Sequence, residues 1–329
     1  MKRLGIYLFY DKDGIVDDYI PYFLECFKPF LAELCIVVNG KLTEESKKKI
    51  EPFCDKILLR ENTGFDAWAY KYTLEYYGYD KLQTFDEVIL CNYTFFGPFY
   101  PLENLFSDMD KKKCDWWGLY RWYEQTPIDY QHIPSYWVSY RRSLISSPDF
   151  KAYWDTLQPI CSYDDSVLYH EQRQALYYDQ KGYQCATWID HMLYQEHWEK
   201  SWPLTLAHRV VMENHFPFVK RRNFFIEGNG TILFPQVPVT LIPFLRQNTD
   251  YDIRLIWDNI QRTQSPERFN RSHYSISTLL RFFRYWLGSK LYLSANRRYR
   301  YKQKYLALFF SKEGLYNQLN HLFCDPIKK

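Results

Sequence analysis

The stretch KILLRENTGFDAWAYK, Lys56 to Lys71, decides the fold. Lys56 to Leu59 is an apolar run of strand length. Asn62, Thr63 and Gly64 follow, residue types that turn a chain. Asp66 to Tyr77 then reads as a helix. A strand that passes through a tight polar loop into a helix is half of a βαβ unit. Gly64 would let the backbone come close to a ligand. Asp66 stands at the helix start, where a carboxylate caps backbone donors or lies beside a bound anion. The residues leave both roles open.

Outward from this unit the same alternation repeats. Arg3 to Tyr10 is a buried strand ending in a turn with Asp11, Asp13 and Gly14. Asp17 to Leu31 carries Tyr19, Ile20, Phe23, Leu24 and Phe27 at helical spacing. Glu33 to Gly40 is a second buried strand, Leu42 to Phe53 a short polar helix, and Glu87 to Asn92 a fourth strand. Later segments read as strands over Asp115 to Tyr120 and Ser135 to Ser147. Helices are predicted from Pro148 and over Tyr169 to Lys181, the last stopped by Gly182. Strands separated by helices imply an α/β, mostly parallel, Rossmann-like sheet flanked by helices. Ligands of such sheets sit beyond the carboxyl ends of the strands. Asp11, Asn39, Asn62, Gly64, Asn92 and Thr94 all fall at such ends.

Composition limits the function classes. Hydrophobic residues make up 47% and charged residues 25%, enough to bury a core and too apolar for a disordered chain. Aromatic residues reach 20%, which serves core packing first and leaves some rings for stacking on sugars or bases. Eight cysteines occur without a CxxC pair, so zinc-ribbon and thioredoxin-type chemistry is disfavoured and a reducing compartment favoured. No HExxH occurs, and His191 and His197 are not at helical metal-binding spacing. The opening MKRLGIYLFYD is not a secretory signal, and no apolar run reaches membrane-spanning length. The expectation is a cytoplasmic protein, peripheral on the inner face of the plasma membrane.

The segments FYDKDGIVDDYIPYFL, IVVNGKL, LLRENTGFDAWAYK, DEVILCNYTFFGPFYPLENLF and DWWGL, in this order, resemble the rhamnan-synthesis protein F family of bacterial glycosyltransferases. The resemblance runs from about Leu4 to Phe225. It implies a GT-A-like fold and transfer of rhamnose or another hexose, with inversion, from a nucleotide-sugar donor. The implied acceptor is a polysaccharide or lipid-linked glycan of the cell surface. Donor-binding residues would be Asp11, Asn39, Asn62, Gly64, Asp66, Asn92 and Thr94. Lys220 and Arg221, in HFPFVKRRNFF, would meet the diphosphate. Glu171 is one candidate for the base that deprotonates the acceptor hydroxyl, and Asp165 is its rival, with a capping turn as its alternative role. The family has Asn-Asp-Ser where this chain has Asn92-Tyr93-Thr94. A phenol is a poor ligand for Mg²⁺ or Mn²⁺, so Tyr93 argues against a divalent metal, and no residue is assigned to one.

The expected domains are 1–235, the transferase, and 236–329, a Pro-punctuated connection and a mostly helical, basic, aromatic region. Arg262 to Lys312 holds twelve Lys or Arg against one acid, Glu267, in a chain of net charge +3. Mixed with Leu, Phe and Trp, this pattern suits an anionic membrane surface. A single-stranded nucleic acid would also suit it, but no nucleic-acid module is present, and that reading is set aside. A non-catalytic, nucleotide-sugar-binding scaffold in a membrane assembly is the rival function.

Overall fold

The computed structural model describes residues 1–124, 130–189, 206–224, 236–264 and 323–324. The chain divides into two compact units, Met1–Thr94 with Pro101–Trp202, and Phe95–Tyr100 with Pro203–Lys329.

The first unit is built on a seven-stranded sheet. In chain order its strands are β1 Arg3–Phe9, β2 Glu33–Asn39, β3 Lys56–Arg60, β4 Glu87–Asn92, β5 Trp116–Gly118, β6 Trp137–Arg141 and β7 Cys185–Thr187. Their spatial order is β7-β5-β6-β4-β1-β2-β3. All neighbours pair parallel except β6, which runs antiparallel to both β4 and β5. This is the mostly parallel sheet that the strand–helix alternation predicts, and it agrees with the GT-A-like fold that the resemblance implies. The winding reverses between β1 and β4, where Leu8 pairs with Asn92, and this is the switch point.

The central strands are buried on both faces, as a covered parallel sheet requires. Leu4, Ile6 and Leu8 belong to the same core as Ala67, Tyr70 and Leu74 of the helix Phe65–Tyr77. On the other face Tyr7 meets Phe23 of the helix Tyr19–Phe27, ring centroids 5.4 Å apart. Gly5 permits that packing: a Cβ there would stand 2.5 Å from Leu31 Cδ1 and 3.2 Å from Phe27 Cε1. Four tryptophans of this unit, Trp116, Trp117, Trp137 and Trp154, are fully buried and serve the core.

Near the amino ends of β1 and β4 lies a buried charge network. Arg3 Nε is 2.7 Å from Glu87 Oε2, and Arg141 Nε is 3.2 Å from Glu87 Oε1. Trp117 Nε1 donates to Glu87 Oε1, and Asp110 pairs with both arginines. Glu87 is wholly buried, so its charge is stable only because these partners surround it.

The elements depart from the sequence expectation in three places. Ser135 to Ser147 is not one strand: β6 stops at Arg141 and a helical turn, Arg142–Ile145, follows. Tyr169 to Lys181 is not one helix. A turn of α-helix, Tyr163–Ser166, leads into a π-helical turn, Val167–Gln172, and then an α-helix, Arg173–Gln180. A π turn inserts a residue into the 3.6 period, so an apolar-spacing argument cannot locate it. Near Pro235 to Pro243 the chain is not irregular throughout: Gln236–Asn248 is helical with Pro243 inside. Pro238 sits in its first turn, where a missing N–H costs nothing.

The second unit contains a two-stranded ribbon, with Phe96 opposite Val219 and Phe95 opposite Lys220. Its helices include Ala207–Asn214, Gln236–Asn248 and Arg254–Thr263. Phe95 packs on Phe218 and Phe99 on Tyr251, at 4.5 and 4.8 Å between ring centroids. Phe323 stacks on Trp257 at 4.9 Å, and its carbonyl accepts from Arg246 Nη2 at 3.0 Å. The expected basic helices beyond Gln264 lie outside the described residues, as do His191 and His197.

Candidate active site

The loop after β3 is shaped by two consecutive residues in the left-handed region, Gly64 at φ 70° and Phe65 at φ 53°. At Gly64 a Cβ would stand 2.4 Å from Trp68 Cγ, so only glycine fits. A phenylalanine at positive φ is strained and must be held by its surroundings. Asn39, at the end of β2, supplies the hold: its Nδ2 donates to Phe65 O at 3.1 Å. Arg60 fixes Asn39 in turn through Nη1 to Oδ1 at 2.6 Å, and reaches Thr63 Oγ1 at 3.3 Å. Thus Asn39 and Gly64 shape the loop that presents Asp66. Asn62 is exposed on that loop.

Gly64, not Asp66, is the N-cap of the helix Phe65–Tyr77. Asp66 Oδ1 accepts from Ala67 N at 2.9 Å and from Ser166 Oγ at 3.1 Å. Its Oδ2 accepts from Asn92 Nδ2 at 3.3 Å and lies 2.5 Å from Ser135 Oγ. Ser135 also meets Glu171: its N–H donates to Oε1 at 2.6 Å, and its Oγ is 2.7 Å from the same oxygen. Glu171 Oε2 faces His132 Nε2 at 3.3 Å. Tyr70 O–H donates to Ser135 O at 3.2 Å and holds that segment from below. Asp66 and Glu171, predicted from sequence, are therefore brought together, and Asn92 joins them. Ser135, Ser166 and His132 were not predicted. Their residue types are too common for sequence to single out; Glu171 reaches Ser135 and His132 from the π turn, and Ser166 meets Asp66.

The cluster is largely closed to water. Asn92, His132, Ser135 and Ser166 are all buried. Burial pushes the phenols of Tyr120 and Tyr136 up, and the charge of Glu171 adds in the same direction. Burial also lowers His170, whose Nδ1 is 2.8 Å from Tyr153 O–H. The polar centre is thus acidic, set among neutral phenols and a neutral imidazole.

The other predicted residues have local partners. Asp11 Oδ1 accepts from the N–H groups of Asp13 and Ile15, at 2.9 and 3.1 Å, and closes the turn after β1. Asn92 Oδ1 accepts from Thr94 N and Oγ1, at 3.1 and 2.7 Å. Asp165 closes a capping box with Ser162, and the N–H of Cys161 holds its carboxyl below the usual range. The hydrogen bonds of Asp165 go to Cys161 and Ser162. Lys220 and Arg221 belong to the second unit. Lys220 ends the ribbon, and Arg221 Nε donates to Asn259 Oδ1 at 3.2 Å while its guanidinium lies over the Phe96 ring.

A divalent metal does not fit the end of β4. Tyr93 packs its ring edge-on to Phe9 and Tyr10, and its carbonyl accepts from Tyr19 O–H. Asn92 and Thr94 bond to each other. Among the described residues no group of three or more His, Cys, Asp or Glu is placed to share an ion.

The family model for rhamnan synthesis protein F matches residues 34–319. The chain belongs to that family. Its rhamnan-synthesis-F sequence matches no curated protein. Among solved structures it is similar to a Desulfovibrio desulfuricans protein described as a nucleotide-diphospho-sugar transferase. That match has 12% identity and a TM-score of 0.35, and covers 65% of this chain and 96% of that one. It is also similar to glucosyl-3-phosphoglycerate synthase from Mycobacterium tuberculosis, at 12% identity and a TM-score of 0.31, over 44% of this chain and 57% of that one. Mouse xyloside xylosyltransferase 1 matches at 8% identity and a TM-score of 0.32, over 61% and 92%. No helix among the described residues of this family member is long and apolar enough to cross a membrane.

Proposed function

We propose that this rhamnan-synthesis-F protein is a glycosyltransferase that moves rhamnose or another hexose from a nucleotide-sugar donor to a growing, lipid-linked cell-surface polysaccharide. One observation carries the reading: Asp66 and Glu171, from a βα loop and a π turn far apart in sequence, meet at Ser135 beside the end of β4. Two carboxylates in a desolvated, hydroxyl-rich cluster suit the recognition of a neutral, polyhydroxylated sugar. In this reading Glu171 is the base. It takes the proton of the acceptor hydroxyl as that oxygen bonds to the anomeric carbon. The bond from that carbon to the diphosphate oxygen breaks, and the nucleoside diphosphate leaves with the electron pair. Attack from the face opposite the leaving group inverts the centre. Asp66 binds sugar hydroxyls. No step is routed through a metal.

The basic stretch from Arg262 to Lys312 would attract an anionic lipid surface, where a lipid-linked acceptor resides. The rival reading, a non-catalytic scaffold, is favoured by the side-chain packing of Tyr93, where the family has an acid. A donor screen decides between them. Release of nucleoside diphosphate is measured for a panel of nucleotide sugars, with EDTA and with Mn²⁺. Turnover of one donor in EDTA supports the enzyme. Tight binding without turnover under every condition supports the scaffold.

A further inference from the structure

The two oxygens of Glu171 are held differently. Oε1 accepts from Ser135 N–H at 2.6 Å and lies 2.7 Å from Ser135 Oγ, which Asp66 Oδ2 also approaches. Oε2 faces His132 Nε2 at 3.3 Å. His132 stands on the short strand Tyr130–His132, paired with Trp122–Glu124, and its ring lies near-parallel to Trp122 at 27° and 6.2 Å. His132 is 5% exposed, and its Nδ1 is buried with no hydrogen-bond partner among the described residues. A neutral imidazole carries one N–H. On Nδ1 that proton would be a buried donor without an acceptor, which is costly. On Nε2 it meets a carboxylate oxygen. The surroundings therefore select the Nε2–H tautomer.

We propose that His132 is a positioning residue for Glu171: as the Nε2–H tautomer it donates to Oε2 while Ser135 holds Oε1, so the carboxylate is fixed at both oxygens before an acceptor hydroxyl arrives. This rests on the reading of Glu171 as the base, but the contact itself does not. A donor to a carboxylate favours its charged form. Removing His132 must therefore let Glu171 take up a proton at higher pH. Among the described residues the other titratable groups around Glu171 include Tyr120, Tyr136, Tyr153, His170 and, across Ser135, Asp66. These groups are present in wild type and variant alike, so the difference between the two reads the His132 contact.

The test is carboxyl NMR on the full chain with ¹³C-labelled glutamate, the Glu171 signal being the one absent in Glu171→Gln. In His132→Phe the titration midpoint should rise, with about a tenfold gain in proton affinity, or one pH unit. In His132→Gln, whose amide can donate, it should stay near wild type. ¹⁵N NMR of the wild-type histidine rings reads the tautomer without any variant, and it should show Nε2 protonated and Nδ1 bare. An unmoved midpoint in a folded His132→Phe protein overturns the proposal. So does an Nδ1–H tautomer, which also decides the matter if the variant does not fold. If every nucleotide sugar fails in the donor screen while the midpoint moves as stated, the transferase reading falls and the His132–Glu171 coupling stands.

Discussion

Asp66 Oδ2 and Ser135 Oγ lie 2.5 Å apart, although 69 positions separate them in the chain. Asp66 is thus bound into the site and is more than a helix-start residue. Asp66→Asn keeps an acceptor for Ala67 N–H and Ser166 Oγ but turns an amide toward Asn92 Nδ2. The variant should stay folded, lose about 1–2 kcal/mol of stability, and lose at least ~100-fold in turnover. Thermal unfolding and donor turnover check the two effects, and wild-type turnover would reduce Asp66 to a structural role.

Glu171→Gln should bind a nucleotide sugar as wild type does and turn it over ~10²–10⁴-fold more slowly, the usual loss on removing a general base. Calorimetric binding and product release separate these quantities. Equal losses in both would make Glu171 a binding group instead of the base.

Glu87 lies outside the site but is wholly buried between Arg3 and Arg141. Glu87→Gln removes the anion and leaves two buried guanidiniums short of charge. The expected loss is about 3 kcal/mol, at the lower end of the range for breaking a buried pair. Urea unfolding measures it. A loss below half that value would show that Asp110 alone compensates both arginines.

His170 is buried, and burial lowers its proton affinity in the folded state. The unfolded chain binds a proton to this residue below about pH 6.5, where the folded chain resists it. Stability should therefore be full above that pH and decline as pH falls from about 7 to 5. In His170→Gln this part of the slope should flatten. Thermal midpoints taken across that window test the sign, and an unchanged slope would assign it to other groups.

For the basic stretch, replacing Arg297, Arg298, Arg300, Lys302 and Lys304 by Gln should remove salt-sensitive binding to anionic vesicles. Each cation near such a surface contributes about 1 kcal/mol. Neutral vesicles should bind neither form. Vesicle sedimentation at rising salt gives the answer, and unchanged binding of the Gln variant would place the contact elsewhere.

Much of the first unit was legible in the sequence because its strands are continuous apolar runs ending in Asn, Asp or Gly. β1, β2, β3 and β4 fall within a residue or two of their predicted bounds for that reason. The site was legible where it sits on strand ends and the βα loop, at Asn39, Gly64, Asp66 and Asn92. It was not legible at Ser135, Ser166 and His132, which reach Asp66 and Glu171 only through tertiary packing. Phe65 is a sharper case. No local pattern announces a phenylalanine at φ 53°, because the hold comes from Asn39 on another strand.

The stacking of Phe323 on Trp257 changes what removing the C-terminus means. Arg246 ties down the Phe323 carbonyl. Phe323, which follows the basic stretch in sequence, is therefore part of the second unit's packing. Cutting the chain before the basic stretch removes a core contact together with the charges. Truncation and charge replacement are different perturbations of this molecule. Loss of Trp257 or Phe323 should destabilise the second unit, an effect that charge replacement alone does not carry.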